Sequence, residues 1–300
     1  MKKILILSLS VLSTLLFSAC TDQANQPESQ AETIIGKHTI RFTEPPKRIP
    51  APHSVDAPLL GNGFTGVALS GTPESQVFYV ARNDFWRLKS ALDESFPLVL
   101  GKIELDIPQL KDASYLVEQQ LYDAVSTARF TKGDISVFYK AFVPATEDML
   151  IVDLNMEGNG AVEGTAGISF LGKEEQINKP PLERIFPDVR EHETKPNGVE
   201  YLSRAFVDSV DIPTKGAMAL RVSGSTDGKF TLEPGKTVRL VCAFSSNFKS
   251  DDCVATVIKK VEDFTPARQA EIEKSHKEWW RNYWEKSYVS IPDSVIEKQY

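Results

Sequence analysis

The chain has 300 residues, of which 41% are hydrophobic, 9% aromatic and 25% charged. These proportions are typical of a folded globular protein and argue against intrinsic disorder. The formal net charge is −7 and no run of lysine and arginine occurs, which argues against nucleic acid as a partner. Beyond the first twenty residues, no apolar run is long enough to cross a bilayer.

The first twenty residues are predicted to be a targeting segment. Lys2 and Lys3 supply a basic start, and residues 4–17 form an apolar run too short for a membrane span. Residues 17–20 read Phe-Ser-Ala-Cys and resemble a bacterial lipobox, although leucine usually stands where this chain has phenylalanine. We therefore predict a lipoprotein signal peptide, lipidation of Cys20, and a lipid anchor in the outer membrane of the bacterial cell envelope, facing the periplasm or the surface. The alternative is a plain secretory signal with a chance cysteine.

Residues 21–33 are polar, rich in glutamine, serine, threonine and glutamate. Because such a segment cannot bury enough apolar surface to fold, we predict a flexible tether. A tether that follows a lipidated cysteine would hold a globular domain away from the membrane surface. The membrane is therefore a predicted partner through the lipid anchor, in which each buried methylene contributes about 0.8 kcal/mol.

Residues 34–248 show a repeated pattern of short strands separated by turn signals, which predicts an antiparallel β-sandwich. The stretch 122–130 is a predicted partner of the strand 135–142. The stretch 172–198 has four prolines and no periodicity, so we predict a long insertion loop there, as a lid or rim of a site. The other predicted strands include 103–107, 150–154, 199–202, 217–222 and 238–244.

The stretch 59–86 contains the densest motif of the chain. Three glycines within residues 61–66 predict a tight loop, and the apolar runs 67–69 and 77–80 predict a hairpin. The second run ends in residues 82–86, which read Arg-Asn-Asp-Phe-Trp. Amide, carboxylate and guanidinium groups can bind sugar hydroxyls, and an aromatic ring can cover the apolar face of a sugar.

A helical pattern begins after residue 251. Val254, Val257, Ile258 and Val261 form one apolar stripe, and a second helix is predicted from the Thr265-Pro266 cap to about residue 286. The second helix carries an aromatic face, which packs either on the sandwich alone or against another large surface. Ser294 and Glu297 have the spacing of a capping box that opens a further helix. The aromatic residues are Trp279, Trp280, Tyr283 and Trp284.

The Gly-Asn-Gly loop with its Asn-Asp-x-Trp strand end, and the tryptophan-rich helix followed by Ile291-Pro292-Asp293, resemble the N-terminal domain and linker of glycoside hydrolase family 95 enzymes, of the α-L-fucosidase and α-galactosidase type. Related (α/α)6-barrel glycosidases and phosphorylases share this arrangement. The resemblance covers residues 45–300 in order of elements. It implies a galactose-mutarotase-like β-supersandwich over 34–248, then a helical linker and the start of a truncated barrel over 249–300.

The same resemblance implies an exported glycoside hydrolase that acts on oligo- or polysaccharides. In these families the catalytic acid and base lie in the barrel, so this chain has no predicted catalytic residue and is expected to be inactive by itself. The alternative reading is a noncatalytic carbohydrate-binding surface lipoprotein. Both readings make carbohydrate the predicted partner.

The candidate substrate-binding residues are Asn83, Asp84 and Trp86, with Asn62 beside them. We expect them at the edge of the sandwich that faces the barrel, because loops at domain junctions commonly form pockets. The alternative is structural: the Gly-Asn-Gly loop is an ordinary turn, Asp84 caps a turn, and Trp86 fills the interface with the linker helix.

Other chemistry finds no support in the sequence. The four histidines have no metal-ligand spacing, and no nucleotide loop or serine-nucleophile motif occurs, so we predict no cofactor and no metal. Cys242 and Cys253 are either bridged, which an oxidising compartment would permit, or two buried thiols.

Overall fold

A computed structural model describes residues 29–50, 55–90, 95–172 and 188–299. The predicted signal peptide, Cys20 and residues 21–28 of the predicted tether lie outside the described residues. The strands, in chain order, are β1 (Thr39–Phe42), β2 (Leu59–Gly61), β3 (Thr65–Thr72), β4 (Ser75–Arg87), β5 (Phe96–Asp106), β6 (Ser114–Gln120), β7 (Val125–Lys132), β8 (Ile135–Phe142), β9 (Met149–Glu157), β10 (Val162–Ser169), β11 (Val189–Thr194), β12 (Glu200–Phe206), β13 (Thr214–Val222), β14 (Lys229–Leu232) and β15 (Val238–Ser246).

Within the described residues, the strands form two antiparallel sheets, which confirms the predicted β-sandwich. The larger sheet has nine strands in the order β1-β6-β7-β8-β9-β15-β13-β12-β11. The smaller sheet has six strands in the order β14-β10-β5-β4-β3-β2. The predicted pairing of the stretch 122–130 with 135–142 is confirmed, because β7 and β8 pair along their full length, from Ser126 opposite Ala141 to Lys132 opposite Ile135.

The helices are α1 (Gln30–Ile35), α2 (Cys253–Glu262), α3 (Pro266–Trp284) and α4 (Ser294–Gln299), and a 3-10 turn covers Pro108–Leu110. The predicted cap of α3 is confirmed, since the Thr265 hydroxyl accepts a hydrogen bond from the Arg268 N–H at 3.2 Å. None of the helices in the described ranges is apolar and long enough to span a membrane.

The core lies between the two sheets and is built from alternate residues of their strands. Phe78 of β4 and Phe130 of β7 both pack edge-on against Tyr139 of β8, with ring centroids 5.8 and 6.0 Å apart. A second apolar layer lies on the opposite face of the larger sheet, where α2 inserts Val257 and Val261. The middle strands of this sheet are therefore buried on both faces, which explains their nearly continuous apolar sequence.

The β3–β4 hairpin is confirmed, with a two-residue Pro73-Glu74 connection. Gly71 adopts a φ of +96°, a conformation that side chains rarely permit, and a Cβ there would overlap the Ser75 carbonyl oxygen. The hairpin therefore requires glycine at this position.

Three sequence predictions are corrected by the structure. Part of the predicted insertion loop is strand β11, whose six residues pair with β12. All six are exposed, so this edge strand lacks the alternation that reveals a half-buried strand. Residues 30–33 of the predicted tether belong to α1, because Ser29 caps the helix and Ile34 and Ile35 are buried. The third correction concerns the cap of α4.

Asp293, rather than Ser294, caps α4. Its Oδ1 accepts hydrogen bonds from the N–H groups of Val295 and Ile296 at 2.9 and 3.2 Å. Glu297 does not complete a capping box with Ser294, because its Oε1 accepts a hydrogen bond from the Ile291 N–H at 3.0 Å.

Cys242 and Cys253 are both free and buried. Cys242 faces the core between the sheets, whereas Cys253 packs in the apolar layer under α2 on the other face of the larger sheet. The sheet itself separates the two sulfurs, so the two cysteines are buried thiols and not a disulfide bridge. Burial raises the pKa of both thiols, which keeps them in the unreactive protonated form.

Glu297 joins the two ends of the described chain. Its Oε2 lies 2.7 Å from Lys37 Nζ and 2.9 Å from His38 Nε2, and its side chain is almost fully buried. Hydrogen bonds from Lys37 and from the Ile291 N–H lower the pKa of this carboxyl to about 2. The charged carboxylate therefore links the start of β1 to α4.

We expect Glu297→Gln to lower the free energy of unfolding at pH 7. Because the folded-state pKa lies below the usual carboxyl value, the stabilisation is complete above about pH 4.5 and is lost as the pH falls toward 2. Urea unfolding of both proteins between pH 7 and pH 3 should show a difference that shrinks with falling pH. Glu278→Gln, at an exposed site, is the matched control. An equal difference at every pH would contradict the linkage.

Candidate functional site

Arg82 organises the end of β4 where the sequence predicted a site. Its guanidinium is fully buried and donates from Nε and Nη2 to the two carboxylate oxygens of Asp84, each at 2.9 Å. Residues 82 and 84 can meet because alternate residues of a strand share one face. Nη1 donates to the Thr65 hydroxyl at 3.1 Å, and Nη2 also reaches Asp148 Oδ2 at 3.3 Å. One buried cation therefore binds two carboxylates from distant parts of the chain.

Asp84 is further held by β15. The Ser246 hydroxyl donates to Asp84 Oδ2 at 2.7 Å. Burial by itself raises the pKa of Asp84, but the hydrogen bonds from Arg82 and Ser246 outweigh it, so the net shift of the pKa is downward. Asp84 is therefore ionised near neutral pH, and both of its oxygens already have protein partners.

Asn62 is equally committed to the protein. Its Oδ1 accepts hydrogen bonds from the N–H groups of Phe64 and Thr65 at 3.1 and 2.9 Å. Its Nδ2 donates to the carbonyl oxygens of Pro144 and Glu147 at 3.2 and 3.1 Å. Asn62 thus ties the glycine loop to the segment between β8 and β9, and its hydrogen-bonding capacity is used in this structural role.

Asn83 and Trp86 both reach solvent near the end of β4. Asn83 is exposed and donates from Nδ2 to the Gly63 carbonyl at 2.7 Å, while half-buried Trp86 donates from Nε1 to the Asn83 carbonyl at 2.8 Å. In the described part of the chain, Asn83 Oδ1 has no protein donor. Of the four predicted binding residues, these two therefore keep groups that are free for a ligand.

Phe64 and Lys249 extend this exposed area. Phe64 is 45% exposed, its carbonyl accepts from the Asn83 N–H at 2.9 Å, and Lys249 Nζ lies 3.8 Å from its ring centroid. We call Phe64, Asn83, Trp86 and Lys249 the rim surface. It offers two aromatic rings, an amide oxygen and an ammonium group, a combination suited to a polar ligand with an apolar face.

Sequence reasoning missed Arg82 as the central residue and missed Asp148 and Ser246 entirely. Arg82 had a usable signal, because it stands at an inward position of an otherwise apolar alternating strand. Asp148 and Ser246 had none, since they lie 66 and 164 residues further along the chain. The structure brings Asn62, Asp84 and Arg82 into one network and leaves Asn83 and Trp86 outside it.

The linker helix α3 is fixed to the larger sheet by one side of its aromatic face. Trp284 Nε1 donates to the Tyr122 carbonyl at 3.2 Å. Buried His276 accepts at Nδ1 from the Ala145 N–H at 3.2 Å, and its Nε2–H donates to the Asp123 carbonyl at 2.8 Å. These two contacts assign the neutral tautomer, in agreement with the burial that lowers the pKa of His276.

The other side of the aromatic face is open. The rings of Trp279 and Tyr283 are stacked, with centroids 5.5 Å apart and planes 9° apart, and the two residues are 41% and 48% exposed. The sandwich therefore covers only part of the aromatic face. Among the described residues, no three His, Cys, Asp or Glu side chains converge to hold a metal ion.

The chain matches no protein-family model, and no curated protein matches it. Among solved structures, it is similar to a protein assigned as a kojibiose phosphorylase, from the human microbiome, at 13% identity and a TM-score of 0.58. A bacterial glucoamylase in complex with acarbose is matched at 12% identity and a TM-score of 0.39, over 82% of this chain and 40% of that chain.

The phosphorylase similarity covers 88% of this chain and 40% of the matched chain, so this chain spans less than half of that protein's length. Coverage this extensive takes in most of the described sandwich and helices. This chain and that part of the matched protein therefore share a fold.

Proposed function

We propose that the chain is the N-terminal part of an exported glycoside hydrolase that acts on oligo- or polysaccharides. The observation that carries the proposal is the fold shared with a kojibiose phosphorylase over 88% of this chain. The finer assignment, to enzymes like those of family 95, is supported by the two sequence motifs at the end of β4 and around α3. In this proposal the sandwich supports a catalytic barrel and rims its active site.

The open aromatic face of α3 supports the same proposal. Exposed Trp279 and Tyr283 form a flat apolar surface on a helix that is otherwise fixed to the sandwich. Large exposed aromatic patches mark interaction surfaces, because leaving them in water forgoes the free energy of burial. A further domain of the same protein would cover this surface.

Within the proposal, sugar contact belongs to the rim surface. Asn83 and Trp86 would touch the sugar directly, through the free amide oxygen and the half-exposed ring. Asp84 and Asn62 would act behind them, since their polar atoms are bonded to Arg82, Ser246 and backbone groups. The proposed catalytic acid and base come from the barrel.

The test uses the full-length protein from its natural locus and, separately, residues 1–300. We expect release of sugar from aryl glycosides or oligosaccharides by the full-length protein in phosphate-free buffer, and no release by the shorter protein. Turnover only with added phosphate would replace hydrolysis by phosphorolysis. Expression of Cys20→Ser tests the anchor in the same experiment, since the wild type should fractionate with membranes and the variant should not.

The second candidate is a noncatalytic carbohydrate-binding surface lipoprotein, which the aromatic and amide groups of the rim surface also suit. A full-length protein that binds oligosaccharides at the rim surface but turns over no glycoside, with or without phosphate, would favour this candidate and contradict the first.

A further inference from the structure

A groove lies between α3 and the helix-covered face of the larger sheet, and none of the residues that line it belongs to the rim surface. Its floor is apolar and consists of Val125 and Phe142, both buried. Its volume is about 210 Å³. A groove of this volume has room for several water molecules or for one molecule the size of a sugar ring. We call it the α3 groove.

The walls of the α3 groove are polar. Thr127 and Lys140 come from the strands, Asp123 from the turn before β7, and Glu273 and Lys277 from α3. Thr127 and Lys140 share a face with Val125 and Phe142 because alternate strand residues point the same way. The groove therefore combines an apolar floor with hydroxyl, ammonium and carboxylate groups above it.

Most of these groups have unused hydrogen-bonding capacity. Over the described ranges, no protein partner exists for the Thr127 hydroxyl, the Asp123 carboxylate or the ammonium groups of Lys140 and Lys277. The Lys140 ammonium group lies over the Phe142 ring, with Nζ 5.6 Å from the centroid. This contrasts with the Arg82 network, where nearly every polar atom is paired.

The charges of the groove balance. Two carboxylates, of Asp123 and Glu273, face two ammonium groups, of Lys140 and Lys277, and none of the four forms an ion pair with another among the described residues. A charged ligand would meet a like charge in either orientation, which costs free energy. A neutral ligand with several hydroxyls can donate to the carboxylates and accept from the ammonium groups.

We propose that the α3 groove binds a single neutral sugar ring, as a second carbohydrate site that is separate from the rim surface. The choice of sugar among neutral polyols rests on the proposed function, whereas the groove itself rests on its own residues. Hydroxyls of the ring bond to Thr127, Asp123 and Lys140. A ligand of this size binds weakly, with a dissociation constant on the order of 1 mM.

The test follows the ring nitrogens of histidine by NMR in protein labelled with ¹⁵N-histidine, while D-glucose, D-galactose or L-fucose is added. The chain has four histidines, and His276 lines the groove. Its signals should shift and saturate with at least one sugar.

Thr127→Val and Lys140→Met should each weaken binding on the order of tenfold. Both variants should fold, since valine suits a strand and methionine keeps the apolar stem of the lysine over Phe142. Lys132→Met, an exposed site on the same strand as Thr127, is the control and should change nothing.

Three results would each overturn the α3 groove as a sugar site. The first is that the His276 signals do not shift with any of the three sugars, up to about 100-fold above the expected dissociation constant. The second is a shift that both groove variants leave unchanged, and the third is a shift with L-glutamate but not with sugars. Labelling with ¹⁵N-tryptophan in the same titration reports on Trp86. A sugar that moves only the Trp86 indole would support the rim surface and the proposed function while overturning the groove.

Discussion

Arg82→Met is expected to lower the free energy of unfolding by about 3–5 kcal/mol, the largest effect among the variants proposed for this chain. Methionine fills a similar volume but leaves the carboxylates of Asp84 and Asp148 near each other without their shared cation. Removing one partner of a buried ion pair costs more than the pair contributes, because an uncompensated charge remains in a poorly solvated site. Urea unfolding monitored by circular dichroism measures the difference.

Arg41→Met is the matched control. Arg41 pairs with Glu118 at 2.6 Å, but its side chain is 70% exposed. Exposed ion pairs contribute about 0–1 kcal/mol, so the control variant should unfold close to the wild type. Equal losses in the two variants would show that the Arg82 network contributes no more than a surface pair.

Asp84→Asn has the second-largest expected effect, about 2 kcal/mol of lost stability near pH 7. The amide keeps the shape of the carboxylate but removes its charge from Arg82, and its N–H₂ group cannot accept from Arg82 or Ser246. The loss is smaller than for Arg82→Met because Asp148 still balances the cation. Because the pKa of Asp84 is lowered in the folded state, the difference from wild type should shrink as the pH falls below the usual carboxyl pKa.

The same variant separates the structural and sugar-binding roles of Asp84. Kinetics of the full-length protein, measured on the folded fraction, should be normal if Asp84 acts only by holding Arg82. Weakened substrate affinity in a variant that melts at the wild-type temperature would instead place Asp84 against the sugar. Asp251→Asn, at an exposed residue beyond β15, is the control and should change neither quantity.

Local sequence patterns were sufficient for most of the fold. Strand β8 follows from alternation, strand β15 from a short apolar run, and helices α2 and α3 from an apolar stripe and the Thr265-Pro266 cap. Each of these signals lies within a few neighbouring residues. Strand β11 was not predicted, because only its pairing with β12 identifies it as a strand. Its six side chains are exposed, and no apolar face distinguishes it from a loop.

In the candidate site, too, local features could be predicted from the sequence and contacts between distant residues could not. The glycine loop and the polar end of β4 were recognisable, and Asn83 and Trp86 do keep exposed groups there. The roles of Asn62 and Asp84 could not be predicted, because their partners include Pro144, Glu147 and Ser246, which are far away in the chain.

The sequence by itself determined the sandwich, the capped linker helix and the location of the polar strand end, since periodicity and turn chemistry are local properties of the chain. Only the tertiary structure decided which polar side chains are available to a ligand. That choice depends on contacts between residues many positions apart. Buried Arg82 binds Asp84 and Asp148, whereas among the described residues the Thr127 hydroxyl and the Lys140 ammonium group have no hydrogen-bond partner. Availability is a consequence of packing, because a buried polar group costs free energy unless it bonds to the protein, whereas a polar group at the surface can bond to water or to a ligand.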